Sequence, residues 1–269
     1  MTPDLHSLIS DSGLPEHEAM RLMVLAAGRS RAQLLVDQTV DVQVADAFVD
    51  LVARRLDGEP LQYIERDVPF GPALIRVDER VLIPRPETEE LFELACSLVD
   101  DPRVIIDLCT GSGNLAIALA MTFSTATVAA SDISDDAIDV AATNARTNDV
   151  AIDLDVGHLF APIDVAHRGR VDLVIANPPY LAAAEFATLD QDVQREPFQA
   201  LVSGVTGLEL MHGIAEEAIG WLAPNGILIC EIGSTQALAA MDIFSAYAPS
   251  VFVDMYGNDR AVVGRMPVE

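Results

Sequence analysis

The sequence predicts an α/β fold: a mostly parallel sheet with helices on both faces, preceded by a small helical domain and a β-hairpin linker. Three observations predict it. Apolar residues recur at helical spacing up to about residue 57, and short extended runs flank Gly71-Pro72. From about residue 90, strand-like apolar runs alternate with helix-like segments, as in a parallel sheet covered on both faces. The 269 residues suit one large domain plus a small one. The expected division is 1–57 helical domain, 58–83 β-hairpin linker and 84–269 sheet domain.

The elements follow in order. Leu14-Pro15-Glu16 opens a helical segment through Met20, Leu22, Met23, Leu25 and Ala26. A second runs from Val44 to Leu56, with Ala47, Phe48, Leu51 and Val52 at helix spacing, and Asp57-Gly58-Glu59-Pro60 stops it. Residues 61–83 read as extended runs around Gly71-Pro72. Arg103–Cys109 is the first apolar strand, Asn114–Thr122 a helix and Ala126–Ser131 the second strand. Ser134–Asn148 is a helix with Ser134 as N-cap and Asp135 and Asp136 in its first turn, where the dipole favours acids. Ile152–Val156 and Val171–Ala176 are the third and fourth strands. A long loop follows Tyr180. Gly207–Leu222 is helical, Pro224-Asn225-Gly226 turns into the strand ILICEI, and a helix runs from about Thr235 to Tyr247. The chain closes with VFVDMYG and RAVVGRM across Asn258-Asp259, a tight pair whose last strand inserts antiparallel.

Composition excludes some classes. The formal net charge of −26 argues against DNA or RNA as the direct substrate, because such binders neutralise phosphates with a basic surface. Otherwise the acidity is an adaptation of the whole surface rather than a partner signal. No run of about 18 apolar residues predicts a membrane span. The opening MTPDLHSLISDSG lacks the basic and apolar regions of a signal peptide, so a cytoplasmic location is expected. Cys96, Cys109 and Cys230 are odd in number and lack metal-ligand spacing, which predicts reduced thiols and no metal.

Two constellations carry chemistry. The first is Asp107-Leu108-Cys109-Thr110-Gly111-Ser112-Gly113-Asn114, between a strand and a helix. Its glycines let the backbone turn sharply against a ligand. Asp132 ends the next strand, 19 positions beyond Gly113, where a carboxylate can accept from both hydroxyls of a ribose. The bland alternative is a tight turn and a capping Asp. Two details favour S-adenosylmethionine over a dinucleotide. The motif is G-S-G-N rather than G-x-G-x-x-G, and Asp107 stands where it could reach the amino group of the methionine part.

The second is Asn177-Pro178-Pro179-Tyr180, directly after the apolar run DLVIA. Ligands of open α/β sheets sit at the carboxyl ends of the strands, so both loops should face one crevice. Adjacent prolines fix two φ angles and remove two donors. An amide or aryl-amino nitrogen is a poor nucleophile because its lone pair is delocalised. The Asn177 side-chain oxygen and the Pro178 carbonyl can accept its two in-plane hydrogens, which aims the lone-pair face at a sulfonium methyl. Both acceptors strengthen as positive charge grows on nitrogen. Tyr180 can stack on the flat group. Read alone, Asn-Pro-Pro is an ordinary rigid turn. After an apolar strand, and with Asp107, Gly111, Gly113 and Asp132 upstream in order, the catalytic reading is preferred.

On these residues the sequence resembles the HemK/PrmC family of protein-(glutamine N5) methyltransferases. The resemblance spans nearly the whole chain. It is carried by AAGRSRAQLL, LVARRLDGEPLQYI, VDERVLIPRPETEEL, DLCTGSGNLAIALA, the NPPY loop, Arg195-Glu196-Pro197 and Glu231-Ile232-Gly233. NPPY alone is shared with adenine-N6 DNA methyltransferases, so the PRPETE run and the helical domain are the specific parts. The resemblance implies a class I S-adenosylmethionine-dependent fold with a seven-stranded sheet. It implies transfer to the Gly-Gly-Gln glutamine of peptide chain release factors, with S-adenosylhomocysteine as product. Asn177, Pro178, Pro179 and Tyr180 would hold the glutamine. Asp107, Cys109, Thr110, Gly111, Ser112, Gly113, Asp132, Leu159 and Asn177 would contact the cofactor. The helical domain of a monomeric enzyme would dock the release factor. Arg85 and Glu87 would shape the substrate wall, or else form ordinary ion pairs.

Three departures stand out. Cys109 replaces the usual Gly and is also seen in methyltransferases of a ribosomal protein L3 glutamine. His158 stands where Asp is frequent, beside the adenine; the chemistry needs no base there. Phe198 replaces a frequent Arg at the rim of the substrate pocket. The rival readings are therefore glutamine methylation of a ribosomal protein, a nucleic-acid amino methyltransferase, and a cofactor-binding module without turnover.

Overall fold

The computed structural model describes residues 4–268. The first three residues of the expected helical domain lie outside them. The chain divides into two compact units. One runs up to Arg66 and includes Asp190–Arg195; the other comprises Asp67–Leu189 and the chain from Glu196 onward.

The first unit is helical. α1 (Leu5–Ser10) is capped by Asp4, whose carboxylate accepts from the Ser7 amide. α2 (Glu16–Ala27) starts after Pro15 and ends at Gly28, in the left-handed conformation that closes many helices. α3 (Arg31–Val36) carries a capping box between Ser30 and Gln33. α4 (Val42–Leu56) and α5 (Leu61–Glu65) complete it. Leu5, Met23, Leu34, Phe48, Leu61 and Ile64 meet in one buried cluster. Asp190–Arg195 joins this unit through Asp192, 2.9 Å from Arg55, and through Arg195, which donates to the Asp57 carbonyl at 2.6 Å.

α5 corrects the expected linker. Residues 61–65 are helical, because Leu61 and Ile64, three apart, face the helical core together. The hairpin is confined to β1 (Asp67–Phe70) and β2 (Ala73–Arg76), paired antiparallel around Gly71-Pro72.

The second unit starts with that hairpin and α6 (Pro86–Leu98), which carries Pro86 in its first turn. Strands and helices then alternate: β3 (Val104–Leu108), α7 (Asn114–Thr122), β4 (Thr127–Asp132), α8 (Asp135–Thr147), β5 (Asp153–Val156) and β6 (Val171–Ala176). Short α9 (Phe198–Leu201) and α10 (Glu209–Ala218) precede β7 (Leu222–Glu231), and α11 (Ala237–Ile243) precedes β8 (Ser250–Val253) and β9 (Asp259–Arg265). The sheet order is β5-β4-β3-β6-β7-β9-β8, parallel from β5 to β7, with β9 antiparallel to both neighbours. Ser134 caps α8 as expected, accepting from the Ala137 amide. Among the described residues no helix is long and apolar enough to cross a membrane.

Pro224-Asn225-Gly226 does not precede a strand; it lies inside β7. The register against β6 shifts between Leu222 and Ile227, and Asn225 takes φ 64°. This irregularity is where a strand tolerates Pro. The helix expected over Gly207–Leu222 is correspondingly shorter, because Trp221 and Leu222 are buried as the chain enters the sheet. The helix expected to Tyr247 stops at Ile243, and a 3-10 turn covers Ser245–Tyr247.

Asn144 of α8, fully buried, ties three segments together. Its amide donates to the Arg76 and Ser112 carbonyls, both at 2.9 Å, and its oxygen accepts from the Arg76 amide at 2.9 Å. Asn144→Ala removes the partner of three backbone groups, that of Ser112 buried and those of Arg76 partly so, and should cost about 2–4 kcal/mol. A urea titration of the purified protein measures this, and a loss below about 1 kcal/mol would mean that water replaces the side chain.

Candidate functional site

β3, β4, β6 and β7 deliver the site from their carboxyl ends. After Leu108 the chain turns through Cys109 (φ 58°), Gly111 (φ 54°) and Gly113 (φ 80°). Left-handed backbone suits glycine, and Cys109 accepts it at some strain. Gly113 is required twice over. Besides its φ, a Cβ there would come within 3.0 Å of the Ala141 Cβ and 3.1 Å of Ile117, closing the packing of α7 on α8. The Thr110 amide donates to the Ser131 carbonyl at 3.0 Å, which fastens the turn to β4. The Gly111 amide donates to Asp132 at 2.9 Å, and so does the Ser134 amide.

A cleft of about 600 Å³ opens over these loops. Cys109, Gly111, Asp132, His158, Leu159, Asn177 and Pro179 line it. Ser131 donates to the Leu159 carbonyl at 2.7 Å, holding that left-handed residue (φ 47°) against the cleft. A smaller cavity of about 30 Å³ adjoins it, lined by Thr88, Asp107, Thr110, Ser112 and Asn177 among others.

Asp107 is 1% exposed. Its Oδ2 accepts from the Thr110 hydroxyl at 2.6 Å and the Ala116 amide at 3.2 Å. Its Oδ1 is buried without a partner. Burial pushes this carboxyl up to about 7, and burial raises Asp132 as well. An orphaned carboxylate oxygen beside a small cavity suits a cationic amine, and Asp132 beside the larger cleft suits a diol. The residues therefore fit S-adenosylmethionine, with Asp107 toward its amino group and Asp132 toward its ribose.

Asn177 and Pro178 follow β6. The Asn177 Nδ2 donates to the Thr88 Oγ1 at 3.1 Å, and the Thr88 hydroxyl donates to the Glu231 Oε2 at 2.8 Å. Thr88 and Glu231 are buried, and burial pushes the Glu231 carboxyl up to about 7. The amide is thus held by its nitrogen while Asn177 lines the cleft. Neither the Asn177 oxygen nor the Pro178 carbonyl has a protein donor among the described residues. The Tyr180 carbonyl accepts from Gln236 Nε2 at 2.8 Å, and the same Gln236 accepts from the Gly233 amide at 2.8 Å. Gly207 (φ 78°) packs so closely that a Cβ would lie 2.3 Å from the Tyr180 carbonyl oxygen. The Tyr180 ring packs at the edge of the sheet core, and burial raises its phenol.

Other expected residues stand elsewhere. Arg85 pairs with buried Glu196, which also accepts from the Ile83 amide at 2.9 Å. Glu87 lies 3.5 Å from Arg260. Neither Arg85 nor Glu87 lines the cleft. Phe198 does not line it either; it is half exposed and meets Phe186 edge-on, with ring centroids 4.9 Å apart. His158 is exposed on the cleft wall. Sequence reasoning missed Thr88, Glu231 and Gln236. The first two stand in the PRPETE and Glu-Ile-Gly runs, but their contact spans 143 residues and has no local signal. Among the described residues no group of His, Cys, Asp and Glu is arranged to hold a metal.

Comparison with known proteins adds the following. Residues 6–65 match the PrmC N-terminal domain, and residues 88–205 match the ribosomal protein L11 methyltransferase (PrmA) family. The chain is 37% identical over 248 residues to a release factor glutamine methyltransferase of Nitratidesulfovibrio vulgaris, spanning 90% of this chain and 84% of that protein. It is 36% identical over 240 residues to a ribosomal protein uL3 glutamine methyltransferase of Burkholderia pseudomallei, spanning 85% and 78%. A solved methyltransferase of Pyrococcus furiosus shares the fold, with TM-score 0.57 at 18% identity, covering 80% of this chain and 98% of that one. A 16S rRNA methyltransferase of T. Thermophilus, solved with AdoMet and guanosine, shares it with TM-score 0.55 at 14% identity, covering 74% and 49%.

The raised Asp107 carboxyl gives a pH test. A cationic amine binds the charged form, which predominates above about pH 7. Affinity for S-adenosylmethionine should therefore weaken as pH falls below 7, by at most about tenfold per unit. Asp107→Asn should bind more weakly and lose most of that slope. Calorimetry at several pH values decides, and an unchanged slope in the variant would remove Asp107 from the amino subsite.

Proposed function

The chain belongs to the HemK/PrmC family of protein-(glutamine N5) methyltransferases, S-adenosylmethionine-dependent enzymes of the class I fold, and on that premise we propose that it methylates the Gly-Gly-Gln glutamine of class I peptide chain release factors. The observation that carries this reading is the Asn177 carboxamide, held by its nitrogen on Thr88 so that its oxygen is left for a substrate amide.

Bound S-adenosylmethionine supplies a methyl group on a sulfonium centre. Asp107 Oδ1 would hold its amino group, and Asp132 would hold its ribose hydroxyls. Cys109, Thr110, Gly111, Ser112 and Leu159 wall the pocket, while Gly113 acts through the turn. The Asn177 oxygen and the Pro178 carbonyl accept the two hydrogens of the glutamine NH₂. This fixes the plane of the amide and turns its lone-pair face toward the cofactor. Both acceptors hold the nitrogen more tightly as it gains positive charge. The proton left on nitrogen is then acidic and passes to solvent, so no base is required. Tyr180 packs on the flat amide, with Gln236 and Gly207 fixing its backbone. Arg85 and Glu87 act on the wall through Glu196 and Arg260 rather than by touching substrate.

The helical unit that ends at Arg66 docks the release factor, and the sheet unit that follows carries the reaction. The enzyme works as a cytoplasmic monomer. A protein substrate rather than nucleic acid is supported by the net charge of −26 and by the pairing of most arginines with Asp or Glu. A ribosomal-protein glutamine is the second reading, supported by the Burkholderia pseudomallei relative. Cys109 sits in the glycine turn, so its effect falls on the cofactor.

Labelled S-adenosylmethionine, offered with a release factor, ribosomal proteins or DNA in separate reactions, tests the reading. Label should enter the release factor and vanish on Gln→Ala in its Gly-Gly-Gln loop; label confined to ribosomal protein or DNA would sink it. Asn177→Ala should lower kcat by about 10²-fold or more and change cofactor affinity by less than about threefold. Equal losses in both would show that Asn177 acts mainly on the cofactor.

A further inference from the structure

A carboxamide is nearly symmetric in shape. Turned over, Asn177 would present its NH₂ to the substrate NH₂, donor against donor. Packing alone does not choose between the two orientations; hydrogen-bond partners do. The single side-chain bond that Asn177 makes among the described residues runs to Thr88. Thr88 is 1% exposed and Glu231 3%, so bulk water does not compete.

We infer that Thr88 and Glu231 are positioning residues that set the orientation of the Asn177 amide, and that the charge on Glu231 sets the direction of the whole hydrogen-bond chain. This deepens the reading of Asn177 as the substrate's acceptor and rests on it. A hydroxyl has one hydrogen to give. A charged Glu231 has none, so it takes the Thr88 hydrogen at 2.8 Å. Thr88 is left with lone pairs only, and the group it can then hold at 3.1 Å is the Asn177 NH₂. The Asn177 oxygen is thereby committed to the cleft.

A protonated Glu231 removes that constraint. Its hydroxyl can donate to Thr88, whose hydrogen is then free for the Asn177 oxygen. The amide turns over and faces the substrate with the wrong group. The charged groups around Glu231 oppose one another. Arg85 and Glu87 face it from the start of α6, and Arg260 faces it from β9, the two arginines favouring its charge and Glu87 opposing it. The Tyr180 phenol stands near it on the NPPY loop and stays neutral. Burial outweighs them and holds the carboxyl near 7. Both directions of the chain are accordingly within reach close to neutral pH.

Two variants and two kinds of readout test this. The first readout needs neither cofactor nor substrate. In side-chain amide NMR, the Asn177 NH₂ signal, identified by its loss in Asn177→Ala, should exchange at least about tenfold faster in Thr88→Val than in the wild type. Unchanged exchange would overturn the inference, whatever protein the enzyme methylates. The second readout is turnover at saturating cofactor. Thr88→Val keeps the shape and should lower kcat by about tenfold or more, with cofactor KM within about twofold. Thr88→Ser restores the hydroxyl and should recover kcat to within about threefold. Equal loss in Val and Ser would assign Thr88 to packing. Wild-type kcat should fall between about pH 8 and about pH 6, while Glu231→Gln, which can give or accept at any pH, should be flat. A Glu231→Gln profile that still falls would remove Glu231 from the chain. Asn177→Ala retaining full activity would instead refute the acceptor reading and leave the NMR result standing.

Discussion

The site depends on one register. β6 lies between β3 and β7 with Ala176 opposite both Leu108 and Cys230, so the three strands end at one level. At their ends stand the glycine turn, Asn177-Pro178 and Glu231-Ile232-Gly233. A parallel sheet opens its crevice at that end, which is why the glycine turn and the Asn177 loop, 64 positions apart from Gly113 to Asn177, become neighbours. Leu173, Val174, Ile175 and Ala176 have no exposure at all. Burial on both faces fixes the register firmly, because a slip of one residue would exchange the two faces of the strand.

This explains what could be read in the sequence. β3, β6, α7 and the final antiparallel pair were legible because their apolar runs are nearly continuous and are bounded by turn residues. Asp107, Asp132 and Asn177 could be singled out because each lies near the end of an apolar run or directly follows one. α5 was not, since five residues give too little periodicity to outweigh the extended look of LQYIE. Pro224-Asn225-Gly226 reads locally as a turn, and only pairing with β6 and β9 on either side draws it into a strand. The pairing of Arg85 with Glu196 and of Thr88 with Glu231 crosses more than a hundred residues in each case, so residue type alone could not separate a wall residue from a buried tie.

The buried acids have a common logic. Asp107, Asp132 and Glu231 are all raised by loss of water, so each lowers the stability of the free protein as pH rises from the ordinary carboxylate range to its folded pKa, and the loss is complete above that. A fold does not gain stability from such groups. Asp107 in particular retains one buried oxygen with no partner, while its other oxygen accepts from Thr110 and the Ala116 amide. That is the pattern of a site whose stability is set aside for a ligand. Its sign selects a cationic ligand, which agrees with an amine and a sulfonium in one molecule.

The same electrostatics explains why position 177 carries an amide rather than an acid. An Asp there would be isosteric and, when ionised, a stronger acceptor. It would stand in the same pocket as Asp107, and next to the Thr88–Glu231 pair. A further charge in that water-poor space would be resisted by its like-charged neighbours and by burial, so the new acid would take up a proton. Protonated, it would offer a donor toward a substrate group that is itself a donor. It would also lack the N–H that Thr88 receives, so a charged form would leave the hydroxyl contested between two carboxylates. Asn177 has an acceptor and a donor at fixed opposite ends and titrates at neither. A neutral amide is therefore the group that keeps an acceptor in the cleft while tying itself to an acidic interior.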